Sequence, residues 1–431
     1  MQAAVLSIGD ELVLGARVDT NSAWLSAELA AVSIVVDEHR TVDDDRGAIA
    51  RAIAALAERH DVLLTTGGLG PTADDLTRDA LRDVVDPGVP LEEDAETAAR
   101  LRRFFARSAR SMPASNLVQA RRPPSMRCLP NPHGTAPGLA GTCDGCLIFA
   151  LPGPPREMRP MFRDHVLPTL PAAAADRQVK TATVNSFGLA EAAAAERLGD
   201  RMTRDRNPTI GTTASSGIIT ARIRAVGTAA EAATLAEEAC GAVEAAWQPY
   251  AFGRGDETLA AAVARLLQSR GQTLVTAESC TGGALGAMIV DEPGASGHYR
   301  GGWVTYHNDL KTAALGVPGD RLATHGAVSK PVAEAMATGA RTRGDADWAV
   351  AITGVAGPGA EAEAGGPKPP GLVWIAVAGP DTLTARRFRF RGERGLVRDR
   401  SAKAALQMLR LALRHEDVTL LWEDAAGSVE S

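Results

Sequence analysis

The sequence predicts an α/β protein in which two α/β domains flank a smaller α+β domain. Three observations support this prediction. In both halves, short apolar runs alternate with segments of helical spacing, a pattern typical of a three-layer fold with a mostly parallel sheet. Between the halves lies a segment with strict polar–apolar alternation, which predicts an antiparallel strand. The length of 431 residues and the hydrophobic content of 45% suit two or three separate cores.

Residues 1–170 are predicted to form the first α/β domain. The segments "AAVLSIG" (Ala3–Gly9), "SIVVDEHR" and "DVLLTTGG" are predicted strands, and Asn21–Ala31 and Asp44–Glu58 are predicted helices. The segment "RRPPSMRCLPNPHGTAPG" is rich in Pro and Gly, so we predict a long functional loop there. "LPAAAAD" (Leu170–Asp176) is the predicted linker to the next domain.

Residues 171–254 are predicted to form a β-α-β-β-α unit. Apolar residues at 219, 221, 223 and 225 alternate with polar ones, which predicts a half-buried strand, and Ala229–Ala246 is the closing helix. The element order resembles a KH fold. The unit lacks a GxxG loop, which argues against RNA binding.

Residues 255–424, after the boundary segment "QPYAFGRGDET", are the predicted second α/β domain. The expected order is helix, strand, helix, strand, helices, strand, loop, two strands and helix.

Composition and charge narrow the function classes. The net charge of −6 and pI of about 5.8 give no electrostatic footprint for direct nucleic-acid binding. No apolar run is long enough to span a bilayer, and the first residues suit a strand rather than a signal peptide. Five irregularly spaced cysteines do not form a disulfide framework, so we expect a reducing, cytoplasmic environment.

Two adjacent nucleophiles, Ser279 and Cys280, follow a predicted strand in "TLVTAESCTGGALGAMIV". This order of elements, in which a strand is followed by a polar turn, a glycine pair and a helix, commonly exposes a side chain beside the N-terminus of the helix. The alternative is that Ser279 is a helix N-cap and Cys280 a small buried hydrophobe. Thiol catalysis normally recruits His, and His298 and His307 lie in predicted loops without an orienting partner. The sequence therefore favours Ser279 as the nucleophile.

A base for Ser279 is predicted at Lys311, in "GGWVTYHNDLK". Among 46 basic residues five are Lys, and a Lys kept against such a bias is notable because it can lose its proton. A buried Lys serves as base in Ser–Lys pairs, and Tyr306 could orient or relay the proton, although an isolated Tyr is usually a core residue. The turn after Thr353, in "AITGVAGPGA", would leave backbone N–H groups free for an anion.

A second site is predicted at the carboxyl edge of the first sheet. "GDEL" follows the first strand and "GGLGPTADDLT" follows the third, and ligands bind at this edge of a parallel sheet. The glycines would admit a phosphate. Asp74 and Asp75, facing Asp10 and Glu11, suit a divalent cation, although one of the pair could instead cap the next helix. "NPHGTAPG" and "LPGPPREM" are predicted to be further loops of this site.

Cys143 and Cys146 form a lone CxxC pair. With Cys128 and His133 the pair could bind zinc, but the spacing matches no familiar zinc module. A hairpin turn is the favoured interpretation.

Over nearly its whole length the chain resembles the CinA (competence/damage-inducible protein A) family. The motifs "SIGDEL", "VDTN", "TTGGLGPTADDLT", "GTAPG" and "LPGPPREM" are similar to the N-terminal half of that family, which has a MoaB/MogA-like fold. "AESCTGG", "GGWVTYHNDLK", "GAVS" and "TGVAGPGA…KPPGLV" are similar to its C-terminal nicotinamide-nucleotide amidase domain.

The resemblance implies a bifunctional hydrolase of pyridine-nucleotide salvage. The C-terminal domain would hydrolyse nicotinamide mononucleotide to nicotinic acid mononucleotide and ammonia, with Ser279 as nucleophile, Lys311 as base and Tyr306 assisting. The N-terminal domain would cleave ADP-ribose at the pyrophosphate with a divalent metal (Mg, Mn or Co) and potassium. The resemblance implies a cytoplasmic homodimer and no cofactor for the amidase domain.

The remaining site residues are implied by the same motifs. The C-terminal substrate-binding residues would be Glu278, Thr281, Gly282, Gly283, Ser296, Asn308, Thr353, Gly354, Arg394 and Arg398. The N-terminal substrate-binding residues would be Gly67, Gly68, Gly70, Pro71 and Thr72, with Asp10, Glu11, Asp74 and Asp75 as metal ligands.

Two departures and two alternatives stand beside this interpretation. His307 replaces a small polar residue of the family motif and could change the polarity of the pocket, and Lys330 replaces an acidic one, which could bring a second lysine near the site. The first alternative function is molybdopterin binding, since phosphate-binding glycines suit both ligands. The second is a non-enzymatic role in competence or DNA recombination. The acidic charge balance argues against direct contact with DNA, but it does not argue against a role through a protein partner.

Overall fold

The computed structural model describes residues 1–107, 112–170, 178–363 and 366–423. Within the described residues, no helix is long and apolar enough to cross a membrane. Contacts divide the chain into two compact units. The first contains residues 1–180 and 226–232, and the second contains residues 181–225 and the chain from 233 onward.

The first α/β domain is built on one six-stranded sheet, in the order β2-β1-β3-β8-β7-β6. Its strands and the short β4–β5 pair are β1 (Gln2–Ile8), β2 (Val35–Val42), β3 (Val62–Thr66), β4 (Glu92–Glu93), β5 (Arg121–Arg122), β6 (Arg127–Leu129), β7 (Gly138–Cys143) and β8 (Cys146–Leu151). Its helices are α1 (Asp10–Val13), α2 (Thr20–Ala31), α3 (Arg46–Ala57), α4 (Thr77–Val85), α5 (Ala95–Arg107) and α6 (Pro155–Met161).

This sheet is buried on both faces. Strands β2, β1, β3 and β8 are parallel, while β7 and β6 are antiparallel additions. In β1, Ala4, Leu6 and Ile8 join the core that contains α3 and α4, whereas Ala3 and Val5 join the core that contains α2 and α6. A strand between two helical layers needs apolar residues on both sides, as this one has. The predicted three-layer α/β domain is confirmed.

The Pro- and Gly-rich segment at 121–138 differs from its prediction as an entirely irregular loop. Residues Arg127–Leu129 form strand β6, which pairs antiparallel with β7. Three residues are too few for a periodic signal, and the flanking prolines hide the strand in the sequence. Apart from Leu170, the predicted linker lies outside the described residues.

The middle domain is an antiparallel sheet, in the order β10-β11-β9-β12, with helices on one face. Its elements are β9 (Gln178–Phe187), α7 (Glu191–Leu198), β10 (Thr209–Ser215), β11 (Ile218–Gly227), α8 (Ala229–Trp247) and β12 (Ala251–Arg254). The alternation from 219 to 225 places its apolar residues inside, as predicted. Strand β12, within the predicted boundary segment, pairs with β9 and adds a final strand to the predicted order.

The C-terminal sheet has the order β14-β13-β15-β18-β19, with β14, β13 and β15 parallel. The strands of this region are β13 (Leu274–Glu278), β14 (Tyr299–Val304), β15 (Trp348–Gly354), β16 (Glu361–Glu363), β17 (Gly366–Lys368), β18 (Leu372–Ala378) and β19 (Leu383–Arg389). The helices are α9 (Leu259–Ser269), α10 (Ala284–Val290), α11 (Asn308–Leu315), α12 (Gly319–His325), α13 (Lys330–Gly344) and α14 (Arg394–Leu413). The predicted element order is confirmed, with the small β16–β17 hairpin inside the predicted loop.

Helix α14 joins the middle and C-terminal domains inside the second unit. The Gln407 amide, which is fully buried, donates to the carbonyl oxygens of Phe187 at 2.9 Å and Tyr250 at 3.3 Å. Arg410, 3% exposed, donates to Gln407 and to the carbonyl of Pro249. Burial lowers the pKa of Arg410 to about 10. Because Phe187 shares an apolar cluster with the C-terminal core, the contact is both polar and hydrophobic.

Candidate functional sites

The nucleophile turn follows β13, the central strand of the three parallel ones. The Ser279 amide donates to Ile352 at 2.9 Å, and the Thr305 amide donates to the carbonyl of Glu278 at 2.8 Å. These bonds tie the carboxyl ends of β13, β14 and β15 together at one edge of the sheet. Gly282 and Gly283 have φ of 60° and 94°, a left-handed backbone that reverses the chain into α10.

Ser279 lies beside Lys311, as the sequence predicts. The Lys311 Nζ is 3.1 Å from the Ser279 Oγ and 2.9 Å from the carbonyl oxygen of Thr305. Ser279 is 8% exposed and Lys311 1% exposed. The amine of Lys311 is therefore held directly against the Ser279 hydroxyl, away from solvent.

Cys280, next to Ser279, packs in the hydrophobic core. Burial raises the pKa of the Cys280 thiol to about 12. A thiol with that pKa stays protonated near neutral pH and is a poor nucleophile. Its environment therefore agrees with the preference for Ser279.

Tyr306 and Arg394 stand at the mouth of the pocket. The Arg394 guanidinium donates to the Tyr306 hydroxyl at 2.8 Å and to the carbonyl of Gly357 at 2.9 Å. Tyr306 is 58% exposed, so it is not the core residue of the alternative interpretation. The sequence leaves open whether Arg394 or Arg398 reaches substrate. Arg394 lines the pocket, whereas Arg398 donates to the carbonyl of Thr281.

The pocket around Ser279 has a volume of about 200 Å³. Its predicted members Asn308, Thr353 and Gly354 line it, together with His307. The buried Thr353 hydroxyl donates to the carbonyl of Ala327 at 2.8 Å. His307 caps α11, with its Nδ1 accepting from the Asp309 amide at 3.4 Å. The exposed Lys330 begins α13 and lies 3.9 Å from Glu334.

Two residues that are predicted to contact substrate have a different role or position in the structure. The buried Glu278 carboxylate accepts from the amides of Gly283, Leu285 and Gly286, at 2.8–3.0 Å, so it holds the start of α10 rather than a substrate. Ser296 is exposed in the short turn before β14, at the amino edge of the sheet and away from Ser279. Parallel strands place the residue before a strand at the opposite edge from the residue after it.

The first domain carries a crevice of about 860 Å³ at the carboxyl edge of its sheet. Gly67, Gly68, Gly70 and Pro71 line it, as predicted. Gly67 has φ of 108°, and a side chain there would collide with the carbonyl oxygen of Ile8. The loop thus requires glycine at this position.

The loop rests on charged residues beneath it. The Asp75 carboxylate accepts from the amides of Gly70 at 2.7 Å and Thr72 at 2.8 Å, and from the Thr72 hydroxyl. Arg78, 1% exposed, donates to the carbonyls of Leu69 and Gly70. Asp75 and Thr72 therefore shape the loop from within, and the role of Asp75 as a metal ligand stays a prediction.

A group of carboxylates gathers across the crevice. Asp10 and Asp44 are joined by reciprocal bonds, in which the Asp10 amide donates to Asp44 at 3.0 Å and the Asp44 amide to Asp10 at 3.1 Å. Burial, together with the carboxylates of Asp10, Glu11 and Asp74, raises the pKa of Asp44 although the Asp10 amide opposes this. In the parts of the chain that the structure describes, no three or more His, Cys, Asp or Glu residues are grouped around one ion position.

Other residues of the crevice are not predicted individually, although the predicted loops "NPHGTAPG" and "LPGPPREM" contain several of them. Asp19 accepts from the hydroxyls of Ser7 and Ser22, and Asn21 donates to the carbonyl of Gly153 at 2.7 Å. The Asn131 amide donates to Glu157 at 2.8 Å and so fixes the loop that contributes Thr135. The "VDTN" motif contains Asp19 and Asn21, and its polar residues directly before a helix could have indicated them.

Cys143 and Cys146 face each other across the β7–β8 hairpin, with Asp144 and Gly145 at the turn in left-handed conformations. Burial raises the pKa of the Cys146 thiol to about 11. The two cysteines therefore lie on either side of a hairpin turn, as the favoured interpretation predicts. Among the described residues, no metal-binding group includes them.

Comparisons with known proteins agree with this arrangement. The profile of the CinA C-terminal domain matches residues 256–413, that of the "Probable molybdopterin binding domain" residues 4–172, and that of the "Damage-inducible protein CinA KH domain" residues 181–253. A "CinA-like protein" of Geobacter metallireducens is 41% identical over 96% of this chain and 99% of its own length. The chain belongs to the CinA family. Another CinA-like protein, from Gloeobacter violaceus, is 41% identical over 95% of this chain and 96% of its own length. The CinA assignment confirms the fold prediction, with MoaB-like, KH-like and CinA C-terminal domains.

Proposed function

We propose that the C-terminal domain hydrolyses the amide of nicotinamide mononucleotide to nicotinic acid mononucleotide and ammonia. The observation that carries this proposal is the buried Ser279–Lys311 pair at 3.1 Å, in a pocket bordered by Arg394. A buried lysine amine beside a serine hydroxyl is the arrangement of a serine nucleophile with its base. Arg394 offers the substrate phosphate a guanidinium at the pocket mouth.

The reaction proceeds through an acyl-enzyme. Lys311 takes the Ser279 proton while the oxygen attacks the amide carbon, and the backbone N–H groups at 280 and 281 stabilise the resulting oxyanion. Lys311 then returns the proton to the nitrogen, and the C–N bond breaks to release ammonia. Water, deprotonated by Lys311, attacks the ester and restores Ser279 with release of the acid.

Ammonia release from nicotinamide mononucleotide by the full-length protein tests this proposal. We expect catalytic release with the wild type and none with Ser279→Ala. Free nicotinamide, which lacks the ribose phosphate, should be a poor substrate. Absence of ammonia from nicotinamide mononucleotide with the wild type would contradict the proposal.

We propose that the first domain cleaves the pyrophosphate of ADP-ribose with a divalent metal. One or two of Asp10, Glu11, Asp44 and Asp74 would hold the ion, because a cation relieves their mutual repulsion and carboxylates are ligands of Mg²⁺ or Mn²⁺. Such ions are usually bound by one or two carboxylates plus substrate phosphates, which agrees with the lack of a complete ligand cage among the described residues. The bound ion, with potassium as a second ion, would neutralise phosphate charge, while the amides of the Gly67–Gly70 loop orient the phosphates.

Molybdopterin is the second candidate ligand of this crevice, supported by the match of residues 4–172 to the molybdopterin-binding profile. Calorimetric titration with ADP-ribose and with molybdopterin, each with Mg²⁺, separates the two ligands. We expect ADP-ribose to bind more tightly than molybdopterin and to be cleaved. We also propose that the protein is a cytoplasmic homodimer. Binding of molybdopterin alone would favour the alternative.

A further inference from the structure

The turn that carries Ser279 is held from two sides. On one side the Glu278 carboxylate accepts three amides from the start of α10. On the other, Arg398 of α14 donates to the carbonyl oxygen of Thr281, from Nε at 3.1 Å and from Nη2 at 2.7 Å. The same carbonyl accepts the amide of Ala284 at 3.3 Å, so its orientation is fixed by several donors.

These bonds decide which backbone donors of the turn remain available. The Ser279 amide donates to Ile352, and the Gly282 amide donates to the carbonyl of Ser279 at 3.0 Å. Within the described chain, the amides of Cys280 and Thr281 donate to no backbone carbonyl, and the Cys280 amide contacts its own thiol. Cys280 is 5% exposed and Thr281 fully buried, and amides without a carbonyl acceptor in such places are costly unless a ligand uses them.

We propose that Arg398 is a positioning residue, which fixes the peptide after Thr281 so that the amides of Cys280 and Thr281 form an oxyanion site. The inference rests on the proposed amidase function. Arg398 does not line the pocket around Ser279, whereas Arg394, one helical turn earlier, does. The two arginines of "GERGLVR" thus have different tasks: Arg394 binds substrate, and Arg398 holds the turn on which the transition state depends.

The difference predicts a division between kcat and KM. Arg398→Ala should lower kcat for nicotinamide mononucleotide by about 10- to 100-fold with KM nearly unchanged, because misplaced oxyanion donors stabilise the transition state less. Arg394→Ala should raise KM by about tenfold, since it removes a charged substrate contact. Guanidinium ion added to Arg398→Ala should restore part of kcat. Lys403→Ala, on the same helix and paired with Asp399 at 2.9 Å, is the matched control and should change neither constant.

A second measurement does not depend on the substrate. The rate at which a small fluorophosphonate labels Ser279 reports formation of a tetrahedral adduct in the same oxyanion site. We expect slower labelling in Arg398→Ala, intermediate labelling in Arg398→Lys, and wild-type labelling in Lys403→Ala. Should Arg398→Ala fail to fold, Arg398→Lys carries the comparison, with a smaller loss of kcat.

The outcomes separate this inference from the proposed function. A wild type that releases no ammonia but labels faster than Arg398→Ala would contradict the substrate assignment and support the role of Arg398. Raised KM with unchanged kcat in Arg398→Ala would make Arg398 a substrate contact and overturn the inference. Unchanged labelling, or a fall in kcat that guanidinium does not reverse in a folded variant, would overturn it too.

Discussion

The crevice of the first domain and the pocket of the C-terminal domain both lie at the carboxyl edge of a sheet, but they are prepared for chemistry differently. The pocket holds a nucleophile and a candidate base in direct contact within about 200 Å³. The crevice, at about 860 Å³, offers glycine-rich backbone and mutually repelling carboxylates. In the proposed functions the pocket would therefore act with its own side chains, whereas the crevice would need a cation to bind an anionic substrate.

The largest expected effect tests whether the pocket acts through its own serine nucleophile. Ser279→Ala should reduce ammonia release at least about a thousandfold, because removing a covalent nucleophile typically costs several orders of magnitude. Cys280→Ala should cost less than about tenfold, since the buried thiol contributes packing and not charge. Steady-state assays at pH 7.5 measure both. An inactive Cys280→Ala enzyme with normal folding would assign the nucleophile to the thiol.

Lys311 gives the next effect. Lys311→Met should lower the rate by about 10²- to 10⁴-fold, the usual contribution of a general base. Lys311→Arg should be similarly inactive because a guanidinium keeps its proton. Equilibrium binding of nicotinamide mononucleotide should change little in either variant. Should Lys311→Arg remain active, Lys311 would be an anchor and the base would have to be sought elsewhere, with His307 the first candidate.

Chelation separates the two sites. EDTA should lower ADP-ribose cleavage at least about a hundredfold, since a metal ion contributes several kcal/mol of charge stabilisation to such reactions. Added Mg²⁺, Mn²⁺ or Co²⁺ should restore the activity. Ammonia release, measured in the same samples, should stay constant. Equal loss of both activities would contradict the proposal that the metal-dependent reaction of the crevice is independent of the pocket.

The smallest effect distinguishes two carboxylates of the crevice. Asp44→Asn should raise the metal concentration for half-maximal ADP-ribose cleavage by about tenfold, as ligand-shell changes usually do. Asp75→Asn should lower activity at every metal concentration, because Asp75 holds the amides of Gly70 and Thr72. Metal titrations of both variants measure the difference. Recovery of Asp75→Asn at high metal would make Asp75 a ligand.

The sequence predicts most elements because their signals are local. Alternation identifies β11, and apolar runs identify β1 and β3. The Ser279–Lys311 contact follows from motifs that the topology brings to one edge. The roles of Glu278 and Arg398 cannot be predicted from the sequence. Each depends on a hydrogen bond to a backbone group that lies beside the side chain only in the folded chain. Ser296 shows the same limit, because spacing along the chain does not say at which edge a turn lies.

The buried pair Gln407 and Arg410 has a consequence for how this chain can be divided. Gln407 takes both acceptors of its amide, and Arg410 one of its two acceptors, from residues 187–250, so a fragment starting at residue 255 would lose these acceptors on a newly exposed apolar surface. A free-standing version of the C-terminal half would first need polar surface residues along this side of α14. The KH-like domain thus also completes the structure of the C-terminal half to which it is fused.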